Sequence, residues 1–127
     1  MMEANKEEMV SLVWLDVKQD IEIKIITGEY PEGERIPPVR KIAESYSIGI
    51  NTAQKVVEIL CKEDVIYKKR GIGYFVQPMA RDVLFNKHQQ KLEKMIQETM
   101  DYAGMLQIDP SDIAARYAEK MKGTNIN

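Results

Sequence analysis

The sequence predicts a mainly helical chain with one small β-hairpin, an α+β class, on three observations. Val13, Val17, Ile21 and Ile25 recur at strict four-residue spacing, as residues on one face of a helix do. Two further helical stretches, opening near Pro38 and Ile50, are parted only by the glycine-bearing break Ser47-Ile48-Gly49, the spacing of a helix-turn-helix. Two β-rich runs, Val65-Ile66-Tyr67 and Tyr74-Phe75-Val76, flank Lys68-Lys69-Arg70-Gly71-Ile72-Gly73, the pattern of a hairpin. Together they describe a helix-turn-helix followed by a wing.

Each element follows from local residue chemistry. Residues 1–8 form a polar tail with little to bury, expected to fray. The first helix is predicted from Met9 and stops at Gly28, with a turn at Tyr30-Pro31-Glu32-Gly33. Arg35-Ile36-Pro37 supports only a short extended piece, because Pro38 removes another N–H. Proline suits a first helical turn, so the second helix opens near Pro38 and buries Val39, Ile42, Ala43 and Tyr46. The third runs from Ile50 to Lys62 and turns Ala53, Val56, Val57 and Leu60 inward. Pro78 ends the hairpin. A long helix over 80–105 and a short one over 110–122 follow, with Asp109 as N-cap and Asp112 at the positive helix end. The predicted organisation is a tail (1–8), a winged helix-turn-helix domain (9–78) and a helical dimerisation segment (79–127).

Composition narrows the function classes. The 127 residues are 44% hydrophobic and 30% charged, one ordinary domain or a small domain with an appendage. The longest runs without a charged residue, 45–54 and 71–80, are ten residues long, half of what a membrane-spanning helix needs. The acidic start is no signal peptide. One cysteine, Cys61, excludes an internal disulfide and fits a reducing cytoplasm; it reads as a small buried hydrophobe. A single His and a single Cys make a zinc or iron cluster improbable, and no catalytic constellation, metal site or cofactor loop can be assembled. The expectation is a cytoplasmic protein that is not an enzyme and has no membrane partner.

The net charge of −2 argues at first against a nucleic-acid partner, but the charge is unevenly spread. Residues 1–30 carry three bases and seven acids, whereas 35–79 carry eight bases and four acids, a local +4. Phosphates respond to the field within roughly 8–10 Å at physiological salt, so the local patch decides. A helix reading the major groove of double-stranded DNA needs amide, hydroxyl and cationic groups near its N-terminus. The third helix supplies Asn51 and Gln54 for adenine, Thr52 for a base edge or thymine methyl, and Lys55 for phosphate or guanine. In the wing, Lys68, Lys69 and Arg70 suit the negative potential of a minor groove. Gly71 and Gly73 offer small backbone for close approach. Arg40 stands on the exposed side of the second helix.

These residues carry a family resemblance. GEYPEGERIPPVRKIAESYSIG (28–49), NTAQKV (51–56) and KKRGIGYFV (68–76), in this order and spacing, resemble the N-terminal winged helix-turn-helix domain of GntR-family bacterial transcription regulators. NTAQKV with the short C-terminal segment looks most like the YtrA-type branch. The resemblance implies DNA contacts at Arg40, at Asn51, Thr52 and Gln54, and at Arg70, Gly71 and Gly73, together with a dimer. Two departures matter. Gly49-Ile50 stands where many relatives have Ser-Arg and the closer branch Asn-Pro, so operator sequence cannot be carried over. Pro38 replaces the usual serine cap.

In the long helix Phe85, Leu92, Thr99 and Leu106 recur every seven residues, with His88, Met95 and Tyr102 alongside and Gln89, Ile96 and Ala103 next to them. Such a seam needs a partner, and the short helix is too small to cover it, so a homodimer is expected. A small-molecule effector pocket of a few hundred Å³ is hard to build in the roughly 48 residues after the wing; one between subunits, lined by Met95, Met100, Met105 and Tyr102, stays open. The predicted function is a sequence-specific DNA-binding transcriptional regulator, a repressor on a near-palindromic operator. The alternative is a winged-helix protein–protein interaction module.

Overall fold

The computed structural model describes the backbone of residues 6–123 and the side chains of residues 13–122. Five helices and one two-stranded sheet follow in the order α1 (Lys6–Ile26), α2 (Val39–Ser45), α3 (Ile50–Lys62), β1 (Ile66–Lys69), β2 (Gly73–Val76), α4 (Ala80–Met105) and α5 (Pro110–Gly123). The predicted class and element order are those found. The expected tail 1–8 lies outside the described residues for positions 1–5, while positions 6–8 already belong to α1.

The core joins α1, α2, α3 and the hairpin. Val17, Ile21 and Ile25 from α1 are buried with Ile36, Ile42, Ala43, Ala53, Val56, Val57, Leu60, Val65, Ile66 and Val76. All four predicted inward positions of α3 are within this set. Val13 is not: it is 40% exposed. Trp14, one position on, packs against the core instead.

Three helices end in the same way, and none of them uses glycine. Ser47, Asp64 and Gln107 have φ of 53°, 57° and 58°. After each, an apolar residue donates its N–H five residues back: Ile48 to the Ala43 carbonyl, Val65 to Leu60, and Ile108 to Ala103. These are Schellman-type closures, which satisfy orphan carbonyls and tuck an apolar side chain under the helix end. The expected break at Ser47-Ile48-Gly49 is found, with Gly49 the extended N-cap of α3 (φ −68°, ψ 154°), and Pro38 is the N-cap of α2; neither makes a side-chain cap.

β1 and β2 pair antiparallel, Ile66 with Val76 through Lys69 with Gly73. Residues 33–36 run beside β2: Gly33 N–H donates to the Val76 carbonyl, Ile36 N–H to Tyr74, and Val76 N–H to Glu34. Alternation then sorts the side chains. Ile66 and Val76 face the core with Lys68 and Tyr74, while Tyr67, Phe75, Lys69, Gly73 and Arg35 share the outer face.

The chain divides into two compact units, residues 1–86 and 87–127. The expected boundary at 78/79 falls earlier, because Ala80 and Leu84 at the start of α4 are buried in the first unit's core. A clasp fixes that start. The Glu32 carboxylate accepts from the N–H groups of Met79 and Arg81 (3.2 and 3.3 Å), and Arg81 Nε donates to the Ile26 carbonyl (2.9 Å). Glu32 thereby serves the open N-terminus of α4, and Arg81 the open C-terminus of α1. In the second unit, Asp109 Oδ1 accepts from the backbone N–H and the hydroxyl of Ser111 (2.9 and 2.7 Å). Those bonds hold its carboxyl below the usual range, as expected of an N-cap.

Candidate nucleic-acid interface

Two polar anchorages set α3 in place. Lys18 on α1, only 8% exposed, pairs with Glu22 (3.2 Å) and with Glu63 just past α3 (2.8 Å). Burial works to lower the Lys18 pKa, but the Glu63 hydrogen bond and Glu22 outweigh it and raise it. On the other side the Tyr46 hydroxyl donates to the Asp20 carboxylate, while Lys24 lies 5.3 Å from the Tyr46 ring centre and 5.6 Å from that of Tyr30. Burial and the bond to Asp20 push the Tyr46 hydroxyl up to about 12. The helix-turn-helix is thus braced against α1 at the turn after α2 and just past the end of α3.

At the N-terminus of α3, Ile50 and Asn51 are exposed and Thr52 and Gln54 half-buried. Gln54 bridges to the wing. Its Nε2 donates to Glu58 Oε1 (3.2 Å) and to the Tyr74 hydroxyl (3.4 Å). Lys55, expected to extend toward phosphate or guanine, lies with its ammonium 4.9 Å from the Trp14 ring centre, a favourable cation–π distance. Arg40 is exposed in the first turn of α2.

Lys68, Lys69, Arg70, Gly71 and Ile72 are all exposed in the hairpin. Tyr67 and Phe75 stack with centres 5.9 Å apart, and Lys69 lies 4.3 Å from the Phe75 centre. Lys68 is 5.9 Å from the Tyr74 ring, on the opposite face. The two glycines differ. Gly71 (φ +78°) has open space where a Cβ would stand, so its backbone conformation is what demands glycine. A Cβ at Gly73 (φ +148°) would lie 2.7 Å from Arg35 Nε. The space at Gly73, read from sequence as room for DNA, is occupied by Arg35. The sequence marks Arg35 only as part of an extended piece; its alternation with the core residue Ile36 is the signal that places it on the outer face.

The second unit carries all but one of the seam residues. Phe85 belongs to the first unit and is exposed, as are Leu92, Met95, Ile96, Thr99, Tyr102 and Leu106, whereas His88 is half-buried. Between the later part of α4 and α5 lies an apolar groove of about 620 Å³, lined by Leu92, Met95, Ile96, Thr99, Met100, Ile113, Ala114 and Tyr117. A single segment therefore forms a groove larger than expected, with Met95 and Met100 in its wall but not Met105 or Tyr102. Cys61 packs beside the core, and burial pushes its thiol pKa up, which leaves it a poor nucleophile. Among the described residues no helix is long and apolar enough to cross a membrane, and no three His, Cys, Asp or Glu side chains group as a metal site.

Comparison with known proteins bears on this arrangement. Residues 15–76, the span from α1 through β2, match the family described as bacterial regulatory proteins, gntR family. A solved GntR-family transcriptional regulator from Bacteroides thetaiotaomicron is 31% identical, with a TM-score of 0.63 over 89% of this chain and 99% of that one. A GntR family transcriptional regulator from Listeria monocytogenes, 22% identical, shares the fold with a TM-score of 0.72 over 84% of this chain and 93% of that one. The arabinose metabolism transcriptional repressor of Geobacillus stearothermophilus is 35% identical over 63 residues, half of this chain but only 17% of that protein's length. The chain belongs to the gntR family of bacterial regulatory proteins.

Proposed function

We propose that this chain is a cytoplasmic, sequence-specific DNA-binding transcriptional regulator of the YtrA-type branch, a homodimer that represses by occupying a near-palindromic operator. The observation that carries the reading is the Gln54–Tyr74 contact at 3.4 Å, which joins the polar start of α3 to the cationic wing. A helix in the major groove and a hairpin beside the neighbouring minor groove need that fixed relation. Lys68, Lys69 and Arg70 supply phosphate affinity and electrostatic attraction; Arg40, Asn51, Thr52 and Gln54 supply base discrimination. On binding, Gln54 gives up its contact with Glu58 and keeps that with Tyr74 as it presents its amide to adenine. Lys55 plays a lesser part, held as it is over Trp14. The chemistry is recognition, with no catalytic step.

The dimer rests on the exposed apolar residues of α4 and the groove beside them, since a patch of that kind marks an association surface. A two-fold protein reads two half-sites about one helical turn apart.

Selection of bound duplexes from a randomised library, with the affinity of the winners titrated against salt, tests the reading. Enrichment of a near-palindrome with steeply salt-dependent binding is the expected result. Weak binding at low salt without enrichment overturns it in favour of a protein-interaction module.

A further inference from the structure

Arg35 is exposed, yet its side chain is not loose. It lies on the outer face of the hairpin, bridged through its backbone to Phe75, and its guanidinium rests where a Cβ of Gly73 would be, with Nε, Cζ and Nη2 at 2.7, 3.2 and 3.2 Å from that point. From the level of Phe75 it therefore leans two residues toward the tip, to the level of Gly73, whose partner Lys69 lies over Phe75. Among the described residues it has no ion-pair partner. Glu32, the acid three positions before it, is committed to the N–H groups of Met79 and Arg81.

We propose that Arg35 is a phosphate clamp of the wing, held ready by Gly73 and acting with Lys69 on one strand of the duplex beside the tip. The inference rests on the DNA-binding reading above. A hairpin tip inserted in a minor groove is flanked by the sugar-phosphate walls of that groove, and the outer face of the sheet just behind the tip is turned toward one wall. A planar guanidinium with unused donors suits a phosphate there. Because Gly73 already confines the side chain, less rotamer freedom is lost when the contact forms. The clamp adds affinity and register but no base preference, since phosphates carry no sequence information.

The test uses the full chain and a fluorescent duplex taken from the selection above, with binding followed from 0.05 to 0.4 M salt. Arg35→Ala, which removes the clamp from both subunits, is expected to flatten the slope of log K against log salt by about 1.8, and to weaken binding about thirtyfold at 0.15 M salt, the counterion-release value of two phosphates. Arg35→Lys is expected to keep the slope, and selection with Arg35→Ala to return the same operator. In a scan of single neutral methylphosphonates, one position in each half-site weakens the wild type and leaves Arg35→Ala unaffected. A wild-type slope in Arg35→Ala, or the same methylphosphonate profile for both proteins, overturns the clamp even if affinity falls, because packing against Gly73 would then be its whole role. A wild type that binds no duplex in a salt-dependent way overturns the DNA-binding reading itself.

Discussion

The Arg35 guanidinium occupies the place a side chain would take at Gly73, with Nε 2.7 Å from the position of the absent Cβ. Two costs therefore separate in Gly73→Ala. The φ of +148° strains any L side chain, by roughly 1–3 kcal/mol, whereas the clash meets only the movable end of Arg35. Chemical denaturation is expected to show that destabilisation in Gly73→Ala, and the same value within about 0.5 kcal/mol when Arg35→Ala is the background. The DNA-binding defect of Gly73→Ala, by contrast, is expected to vanish in that background. If the stability cost also vanishes there, collision and not backbone strain explains the glycine.

The Lys18 ammonium sits between one buried carboxylate, Glu22 at 2% exposure, and a more open one, Glu63. Removing the cation breaks the buried Lys18–Glu22 pair, so Lys18→Met should cost about 3–5 kcal/mol. The double variant Lys18→Met with Glu22→Leu should recover most of it, while Glu63→Gln, at a solvated partner, should cost about 1 kcal/mol or less. Denaturant midpoints of the three variants decide the matter; equal losses in all of them contradict it. The folded-state pKa of Lys18 is raised. Its contribution is therefore complete below the unfolded lysine value near 10.4 and is lost only as pH climbs through the folded value.

Tyr46 gives a second pH signature. Its hydroxyl is half-buried and donates to Asp20, which raises its pKa from 10.0 to about 12. The folded chain holds this proton more tightly than the unfolded chain, so its stabilising effect is whole below pH 10 and disappears between pH 10 and about 12. Ultraviolet titration should show a late-ionising tyrosine among the six. Tyr46→Phe should delete that step, and Asp20→Asn should move it to lower pH. An unchanged late step in Tyr46→Phe assigns it to another tyrosine.

Ser47, with φ 53°, closes α2 where glycine would be at ease. Ser47→Gly is expected to raise stability by about 0.5–1 kcal/mol, the relief of the left-handed conformation less the added freedom of the unfolded chain. A loss of stability would show that the serine side chain, not the backbone, decides this position.

These closures mark the limit of what the sequence discloses. The inward positions of α3 were legible because one helical period repeats over about two turns, and the bounds of α3 and α4 because Gly49 and Pro78 punctuate them. The left-handed residues were not legible: serine, aspartate and glutamine take that conformation here because Ile48, Val65 and Ile108 gain burial or backbone bonds beyond it, a tertiary reward absent from local propensity. The wing cations announced themselves as a run. The Arg35–Gly73 and Lys55–Trp14 contacts and the Glu32–Arg81 clasp join residues 38 to 49 positions apart, and no local pattern signals them.

Leu92, Met95 and Ile96 are 56%, 53% and 49% exposed and line the groove beside α5. A charge placed there costs the single chain little, since the site is open to water, but buried in a dimer it would have no counter-ion. Ile96→Glu should therefore change the mass seen by light scattering from twice 14.6 kDa to 14.6 kDa while the circular dichroism of the helices is kept. Its affinity for the selected palindrome should fall to the value of an isolated half-site, because the second half-site no longer adds its own contacts at high effective concentration. A wild type that is already monomeric, with Ile96→Glu binding the palindrome as tightly, would make α4 and α5 a self-contained helical pair and remove the dimer from the reading.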